Sequence, residues 1–234
     1  MMEKLSAEEL RFNLREIRRR LVAAAEKSGR REDEITLLAA TKTVDVDTIN
    51  EAVADGVTHI GENRVQELLA KYEGYAPCHR HFIGHLQTNK VKDIIDKVEM
   101  IESVSSLKLA AEISKQAQKR GMTMKVLAEV NIGGEESKSG FAPEELEEAL
   151  RGIAKTPGLS VEGLMAIPPA VAVAEDSRKY FQKMYKLFID IRRQNIDNIN
   201  MSVLSMGMSS DFDIAVEEGA TLVRVGTALF GKRV

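Results

Sequence analysis

Ile35-Thr36-Leu37-Leu38-Ala39-Ala40-Thr41-Lys42 is an apolar run closed by a charged amine. An uninterrupted run of this length, bounded by polar residues, reads as a strand covered on both faces, as in parallel sheets. Open α/β sheets and α/β barrels place their ligands at the C-terminal ends of such strands, where Lys42 stands. An amine held in a partly desolvated strand mouth becomes a nucleophile able to form a Schiff base. On position alone, a solvated lysine just past a strand is the simpler reading. The rest of the chain has to decide.

Upstream, Ser6-Ala7-Glu8-Glu9 has the form of a capping box. The helix it opens carries Leu10, Leu14, Ile17, Leu21 and Val22 on one face and stops near Gly29. Downstream, strand-like and helical segments alternate. Strands are expected over 57–61, 81–84, 100–103, 124–130, 159–165, 201–205 and 221–225. Between them the pattern predicts helices over 47–53, through Val65, Leu68 and Leu69, and over 91–98, 107–120, 144–154, 175–193 and 211–218. Eight strands each followed by a helix, with one extra N-terminal helix, predict an α/β chain folded as a single (β/α)8 TIM barrel over residues 1–234. A doubly wound open sheet is the alternative packing of the same alternation.

Composition narrows the function. Lys and Arg total 33 against 36 Asp and Glu, so the formal net charge is −3 and no nucleic-acid surface is implied. The basic residues between Arg11 and Arg31 are interleaved with Glu16 and Glu26, as on a solvated helix face. Cys78 is the only cysteine, which rules out an intrachain disulfide. No signal-peptide pattern or membrane-length apolar run occurs, so a soluble, cytoplasmic protein without membrane partners is expected.

The end of the chain supplies the decision on Lys42. Ser205-Met206-Gly207-Met208-Ser209-Ser210-Asp211 follows strand seven, and Arg224-Val225-Gly226-Thr227 runs out of strand eight into a short helix. Barrels commonly bind phosphate with these two loops. Gly207 and Gly226 allow close approach of backbone N–H groups, while Ser209 and Thr227 add hydroxyls. Either segment alone is ordinary turn chemistry. The two together, with a lysine at strand one, point to a ligand bearing both a phosphate and a carbonyl. Pyridoxal 5′-phosphate asks for this combination, with Arg224 placed to partner its pyridine nitrogen.

These residues resemble the pyridoxal-phosphate homeostasis proteins, which are alanine-racemase N-terminal-domain-like. The resemblance runs through Leu38-Ala39-Ala40-Thr41-Lys42, Gly61-Glu62-Asn63-Arg64-Val65-Gln66-Glu67 and His81-Phe82-Ile83-Gly84-His85-Leu86-Gln87-Thr88-Asn89-Lys90. It continues through Val130-Asn131, Glu136-Ser137-Lys138-Ser139-Gly140, Gly163-Leu164-Met165-Ala166-Ile167-Pro168 and the two C-terminal segments. It implies a barrel that binds pyridoxal 5′-phosphate as a covalent aldimine at Lys42, with Arg224 near the ring nitrogen. It also implies a phosphate cup from Ser205, Met206, Gly207, Ser209, Gly226 and Thr227, and a pocket wall that includes Asn63. Thr41 stands where serine is common in the family, a departure that does not touch the cofactor assignment.

The expected role is that of a carrier and not a catalyst. Racemisation needs an acid/base group on each face of the substrate α-carbon. In alanine racemases the second is a tyrosine from an added β-domain, for which this sequence has no counterpart after strand eight. Tyr72, Tyr75, Tyr180 and Tyr185 fall on predicted helices or their flanks, away from the strand mouths. A guanidinium partner also leaves the pyridine nitrogen unprotonated, a poorer sink for carbanion charge. The alternative is a pyridoxal-phosphate-dependent amino-acid racemase. A monomer is expected, with transient contact to apo enzymes as the route of cofactor exchange. His79 and His81 share a strand face near Cys78 and His85, a grouping that can suit zinc, but nothing completes a ligand set and no metal is expected. His81 and His85 read instead as pocket-wall or packing residues.

Overall fold

The computed structural model describes residues 5–135 and 138–231. Eight parallel strands close into a barrel in sequence order. They are β1 (Thr36–Ala40), β2 (His59–Glu62), β3 (His79–Phe82), β4 (Met100–Val104), β5 (Met124–Val130), β6 (Leu159–Ala166), β7 (Ile199–Ser205) and β8 (Leu222–Val225). The helices are α1 (Ala7–Lys27), ahead of β1, then α2 (Val46–Ala54), α3 (Val65–Lys71), α4 (Val91–Ile94), α5 (Leu107–Lys119), α6 (Leu146–Ala154), α7 (Arg178–Arg193), α8 (Phe212–Glu217) and α9 (Thr227–Phe230). β1 pairs with β8, which shuts the cylinder and excludes the open sheet.

Ser6 caps α1 as the sequence predicts: its hydroxyl accepts from the Glu9 amide, and the Glu9 carboxylate accepts from the Ser6 amide at 2.9 Å. α1 buries Leu10, Leu14, Ile17 and Leu21 against α8 and α9, each worth about 1.5–3 kcal/mol of apolar burial. The layer between helices and strands forms one large apolar core. Inside the barrel the apolar groups are fewer. Leu38, Ile83 and Leu222 form one small cluster, and Met100, Leu127 and Met165 another. Between these clusters the interior is polar, with His81, Glu102, Ser205 and Arg224 all buried.

Two boundaries depart from the sequence expectation in ways that matter. β1 stops at Ala40, so Lys42 stands in the turn beyond the strand instead of ending it. The helix predicted over 91–98 is α-helical only from Val91 to Ile94; a hydrogen-bonded turn, Lys97 N to Ile94 O, then redirects the chain so that the Glu99 amide can reach the Arg80 carbonyl and start β4. Register shifts occur where β6 meets its neighbours at Gly163. Gly163 has φ +153°, and a Cβ there would lie 1.8 Å from the Val203 carbonyl oxygen, so only glycine permits this closeness of β6 to β7. No described helix is long and apolar enough to cross a membrane.

Candidate cofactor site

Lys42 is exposed on the turn after β1, and both flanks of that turn are pinned. Thr41 is fully buried, and its hydroxyl donates to Glu62 Oε1 at 2.8 Å. Lys71 Nζ, from α3, donates to the Thr41 carbonyl at 3.0 Å and to Glu62 Oε1 at 2.8 Å. The Tyr75 hydroxyl donates to the same oxygen at 2.9 Å. On the other flank the Thr43 amide donates to Glu67 Oε2 at 2.7 Å. Thr43 has φ +65°, an uncommon conformation for a β-branched residue and a local strain that its surroundings must hold. Asp45 then caps α2 through the Thr48 amide.

Tyr75 qualifies the sequence expectation about the tyrosines. Its hydroxyl reaches the last residue of β2, but from the outer side of the barrel, since Gly61 is the residue that faces Leu38 and Ile83 within. Burial and the Glu62 carboxylate push its pKa upward, so it stays protonated. Tyr180 and Tyr185 lie on α7.

The turns after β7 and β8 interlock. Gly207 sits at φ +89°, where a Cβ would lie 2.4 Å from that of Ala215. Its carbonyl accepts from the Arg224 amide at 3.1 Å. Asp211 receives the Met208 amide at 2.8 Å and the Ser177 hydroxyl at 3.2 Å, which fixes the loop from behind. The Ser209 hydroxyl oxygen accepts from the amides of Gly226 and Ala228 at 3.2 and 3.1 Å. One oxygen atom thus already occupies a convergence of backbone donors, the arrangement an oxyanion uses. At Gly226 a Cβ would lie 3.1 Å from the Ala40 carbonyl, so this turn closes directly onto the strand that leads to Lys42.

Gly207, Ser209, Gly226 and Thr227 therefore gather on the C-terminal rim, beside the turn of Lys42. Two other expected members of the cup are turned away from it. The Met206 side chain is buried in the outer core and its amide donates to the Leu222 carbonyl. Ser205 is fully buried, its hydroxyl donating to Glu102 Oε2 at 2.6 Å and accepting from Arg224 Nη1. Asn63 follows β2, with Gly84 packed so close that a Cβ there would lie 2.1 Å from the Asn63 carbonyl oxygen. Asn63 Oδ1 is buried without a hydrogen-bond partner. Glu136 and Ser137 lie outside the described residues.

The charged groups of the interior were not identified as site residues from the sequence, apart from Arg224. Arg224 is 4% exposed, and Nη2 donates to the Ala166 carbonyl at 2.9 Å. Burial lowers its pKa, opposed by the charges of Glu102, Glu129 and Asp211. For Glu102, burial is the largest single effect and acts upward. The hydrogen bond and charge of His81, the charge of Arg224 and the Ser205 hydrogen bond together outweigh it, so the carboxylate lies below its usual range and is ionised. Glu129 behaves oppositely: burial raises it, only partly countered by His85 and Arg224, and its Oε2 is buried without a partner. It lines a cavity of 260 Å³ with Asn131, Lys138, Ser139 and Ile167. The signal was present in the sequence as single charges within otherwise apolar strands, in Met100-Ile101-Glu102-Ser103 and Leu127-Ala128-Glu129-Val130.

His59, His79 and His81 meet near the opposite end of the barrel. The His59 and His79 rings stack with centroids 4.5 Å apart, and His81 meets His59 edge-on at 5.5 Å. Among the described residues no group of three or more His, Cys, Asp or Glu side chains is arranged to hold a metal ion.

Fold and site together define an α/β barrel with an exposed lysine at its C-terminal rim, a buried arginine on β8 and two interlocked glycine turns whose amides converge on Ser209. The alanine racemase N-terminal domain family matches residues 6–234. The chain is 47% identical over 216 residues to the pyridoxal phosphate homeostasis protein of Aquifex aeolicus, covering 92% of this chain and 94% of that one. A Bifidobacterium adolescentis protein of unknown function superposes with a TM-score of 0.91 at 38% identity, over 96% of this chain and 95% of its own. PipY of Synechococcus elongatus, solved with pyridoxal phosphate bound, superposes at 0.77 with 33% identity, over 85% of this chain and 93% of its own. The chain belongs to the pyridoxal phosphate homeostasis protein family, within the alanine racemase N-terminal domain fold.

Proposed function

We propose that this protein binds pyridoxal 5′-phosphate as an aldimine on Lys42 and serves intracellular homeostasis of the cofactor as a carrier, without catalytic turnover. The observation that carries the reading is the closure of the Gly226 turn onto Ala40. It brings the donors gathered by Ser209 to the strand that presents Lys42, with Arg224 below them on β8. The residues suit the group. A phosphate would take the place of the Ser209 oxygen on the amides of Gly226 and Ala228 and receive the Ser209 and Thr227 hydroxyls, and the amine of Lys42 suits the aldehyde. Arg224 supplies a donor for the ring nitrogen, and the unpartnered Asn63 Oδ1 is left to accept from the ligand. When bound, the cofactor supplies a reactive aldehyde and an electron-accepting ring.

The chain's own residues argue for holding over turnover. Arg224 is permanently protonated and donates to a ring nitrogen without transferring a proton. Among the described tyrosines, Tyr75 is committed to Glu62 on the outside of the barrel, Tyr72 packs against Arg80 and Lys97 just beyond α3, and Tyr180 and Tyr185 lie on the outer helix α7. PipY's bound pyridoxal phosphate and the name shared by the relatives support the same ligand and role. Borohydride reduction of the loaded protein followed by peptide mapping tests the tether. The reduced adduct is expected on Lys42 and absent from Lys42→Ala, and its persistence in that variant overturns the assignment. Exchange of the α-proton of alanine with deuterated solvent at enzyme-like rates would instead establish a racemase.

A further inference from the structure

Four side chains from four strands form a continuous hydrogen-bonded line across the barrel interior. His81 Nδ1 on β3 lies 2.7 Å from Glu102 Oε1 on β4. Glu102 Oε2 accepts from Ser205 Oγ on β7 at 2.6 Å, and that hydroxyl accepts from Arg224 Nη1 on β8. The guanidinium nitrogen itself lies 4.0 Å from Glu102 Oε2. Glu102 is fully buried and Arg224 nearly so.

The direction of each bond follows from proton counting. A serine hydroxyl has one proton, here given to Glu102, so its lone pair is left to receive Arg224. An ionised carboxylate only accepts, so His81 carries its proton on Nδ1. Every donor in the line therefore points toward Glu102. Such a line polarises its members mutually, and the low-dielectric interior makes any missing partner costly. The Ala166 carbonyl holds Nη2, and Ser205 holds Nη1, so the guanidinium plane is fixed from two sides. Each of these nitrogens retains a second N–H for a ligand.

We infer that Glu102 is a positioning residue for Arg224: acting through Ser205, it orients the guanidinium and balances its charge, so that Arg224 meets the cofactor ring as a preset donor. The inference rests on the reading that the barrel mouth holds pyridoxal 5′-phosphate with its ring nitrogen toward Arg224. Glu102 does not touch the ligand. Its effect on binding must therefore vanish when Arg224 is absent, a dependence that a general packing role would not produce.

A double-mutant cycle of Glu102→Gln and Arg224→Gln tests this. The probe is pyridoxine 5′-phosphate, which lacks the aldehyde and so reports binding independently of Lys42. Glu102→Gln is expected to weaken its binding about tenfold in the native background and less than twofold beside Arg224→Gln. Bound pyridoxal 5′-phosphate should also show an altered pH profile of absorbance in Glu102→Gln, but not in the packing control Ile101→Val. Equal losses in both backgrounds, or no loss in the first, overturn the inference. Should Glu102→Gln fail to fold, Ser205→Ala is read in the same cycle, since it removes the bridge and leaves both charges. A several-fold loss that depends on Arg224 supports the inference, and unchanged binding overturns it. If the unaltered protein binds neither phosphate nor forms the borohydride adduct, the cofactor reading itself falls. Intact binding with an additive cycle removes only the role of Glu102.

Discussion

The ammonium of Lys71 and the carboxylate of Glu62 meet at 2.8 Å on the outer side of the rim, directly behind the turn that carries Lys42. Glu62 is 1% exposed at its side chain and Lys71 14%, so water does little to screen the pair. The same lysine holds the Thr41 carbonyl, which ties the pair to the backbone one residue before Lys42.

Removing one member of this pair strands a buried charge. Lys71→Met is expected to destabilise the fold by about 3 kcal/mol, the lower end for a broken buried pair, because the Thr41 and Tyr75 hydroxyls still serve Glu62. Changing Glu62 and Lys71 together to apolar residues should cost less than Lys71→Met alone. Denaturant midpoints of the variants measure this, and an unchanged midpoint for Lys71→Met contradicts it.

Glu129 gives the protein an identifiable pH response. Burial raises its carboxyl above the ordinary value near 4.5, so the native state keeps this proton after the unfolded chain has released it. Stability therefore falls as pH rises from about the unfolded value through the raised native one. Glu129→Gln abolishes that fall, so the variant should be more stable than the native protein at pH 8 and no more stable at pH 4. Melting temperatures across this range would refute the assignment if the two curves ran parallel.

His59 acts in the reverse direction. Burial, then the neighbouring charges of His81 and His79, lower its pKa from 6.5 to about 4. Its neutral form belongs to the folded state, and the associated stability is present above pH 6.5 and lost as pH falls toward 4. After allowance for solvent screening of a half-buried ring, the contribution is roughly 2 kcal/mol. Imidazole proton shifts followed by NMR should show one histidine titrating near pH 4, and titration of all four near 6.5 would exclude this.

The two glycines of the proposed cup should separate stability from binding. Gly207→Ala combines φ +89° with a Cβ 2.4 Å from that of Ala215, and is expected to cost about 2–4 kcal/mol. Gly226→Ala meets nothing nearer than the Ala40 carbonyl at 3.1 Å, so its stability cost is expected at about 1 kcal/mol or below. It narrows the gap between β8 and β1, and pyridoxal 5′-phosphate affinity should fall disproportionately. Calorimetric titration beside thermal melts distinguishes the two, and a Gly226→Ala variant that binds normally contradicts the placement of the cup.

The barrel was legible because its strands are short apolar runs bounded by polar turns, with Met124–Val130 recovered without adjustment. The register of residues 91–98 was not, because an apolar face at helical spacing cannot show where the chain must turn to begin β4. Lys42, Arg224 and the Gly207 and Gly226 turns stand out locally, since their residue types are unusual at strand ends. Glu102, Glu129, Lys71 and Tyr75 do not, because their significance comes from pairing across strands and helices far apart in sequence. The Ser205–Glu102 bond alone spans 103 residues. Ser205 shows the limit most clearly. Its sequence neighbours suggest the cup, while strand parity turns its hydroxyl inward to Glu102.

The polar line through the barrel has a bearing on how the chain folds. Its members come from β3 and β4 in the first half and from β7 and β8 in the second. A half-barrel assembled from β1 to β4 would hold Glu102 with His81 alone, and one from β5 to β8 would hold Arg224 without Glu102. Neither half satisfies its own interior, so partial barrels are penalised and the ends of the chain are driven to meet. The carboxylate assigned to steady Arg224 thus also favours the closed barrel over either half, since its partners are gathered only when β4, β7 and β8 come together.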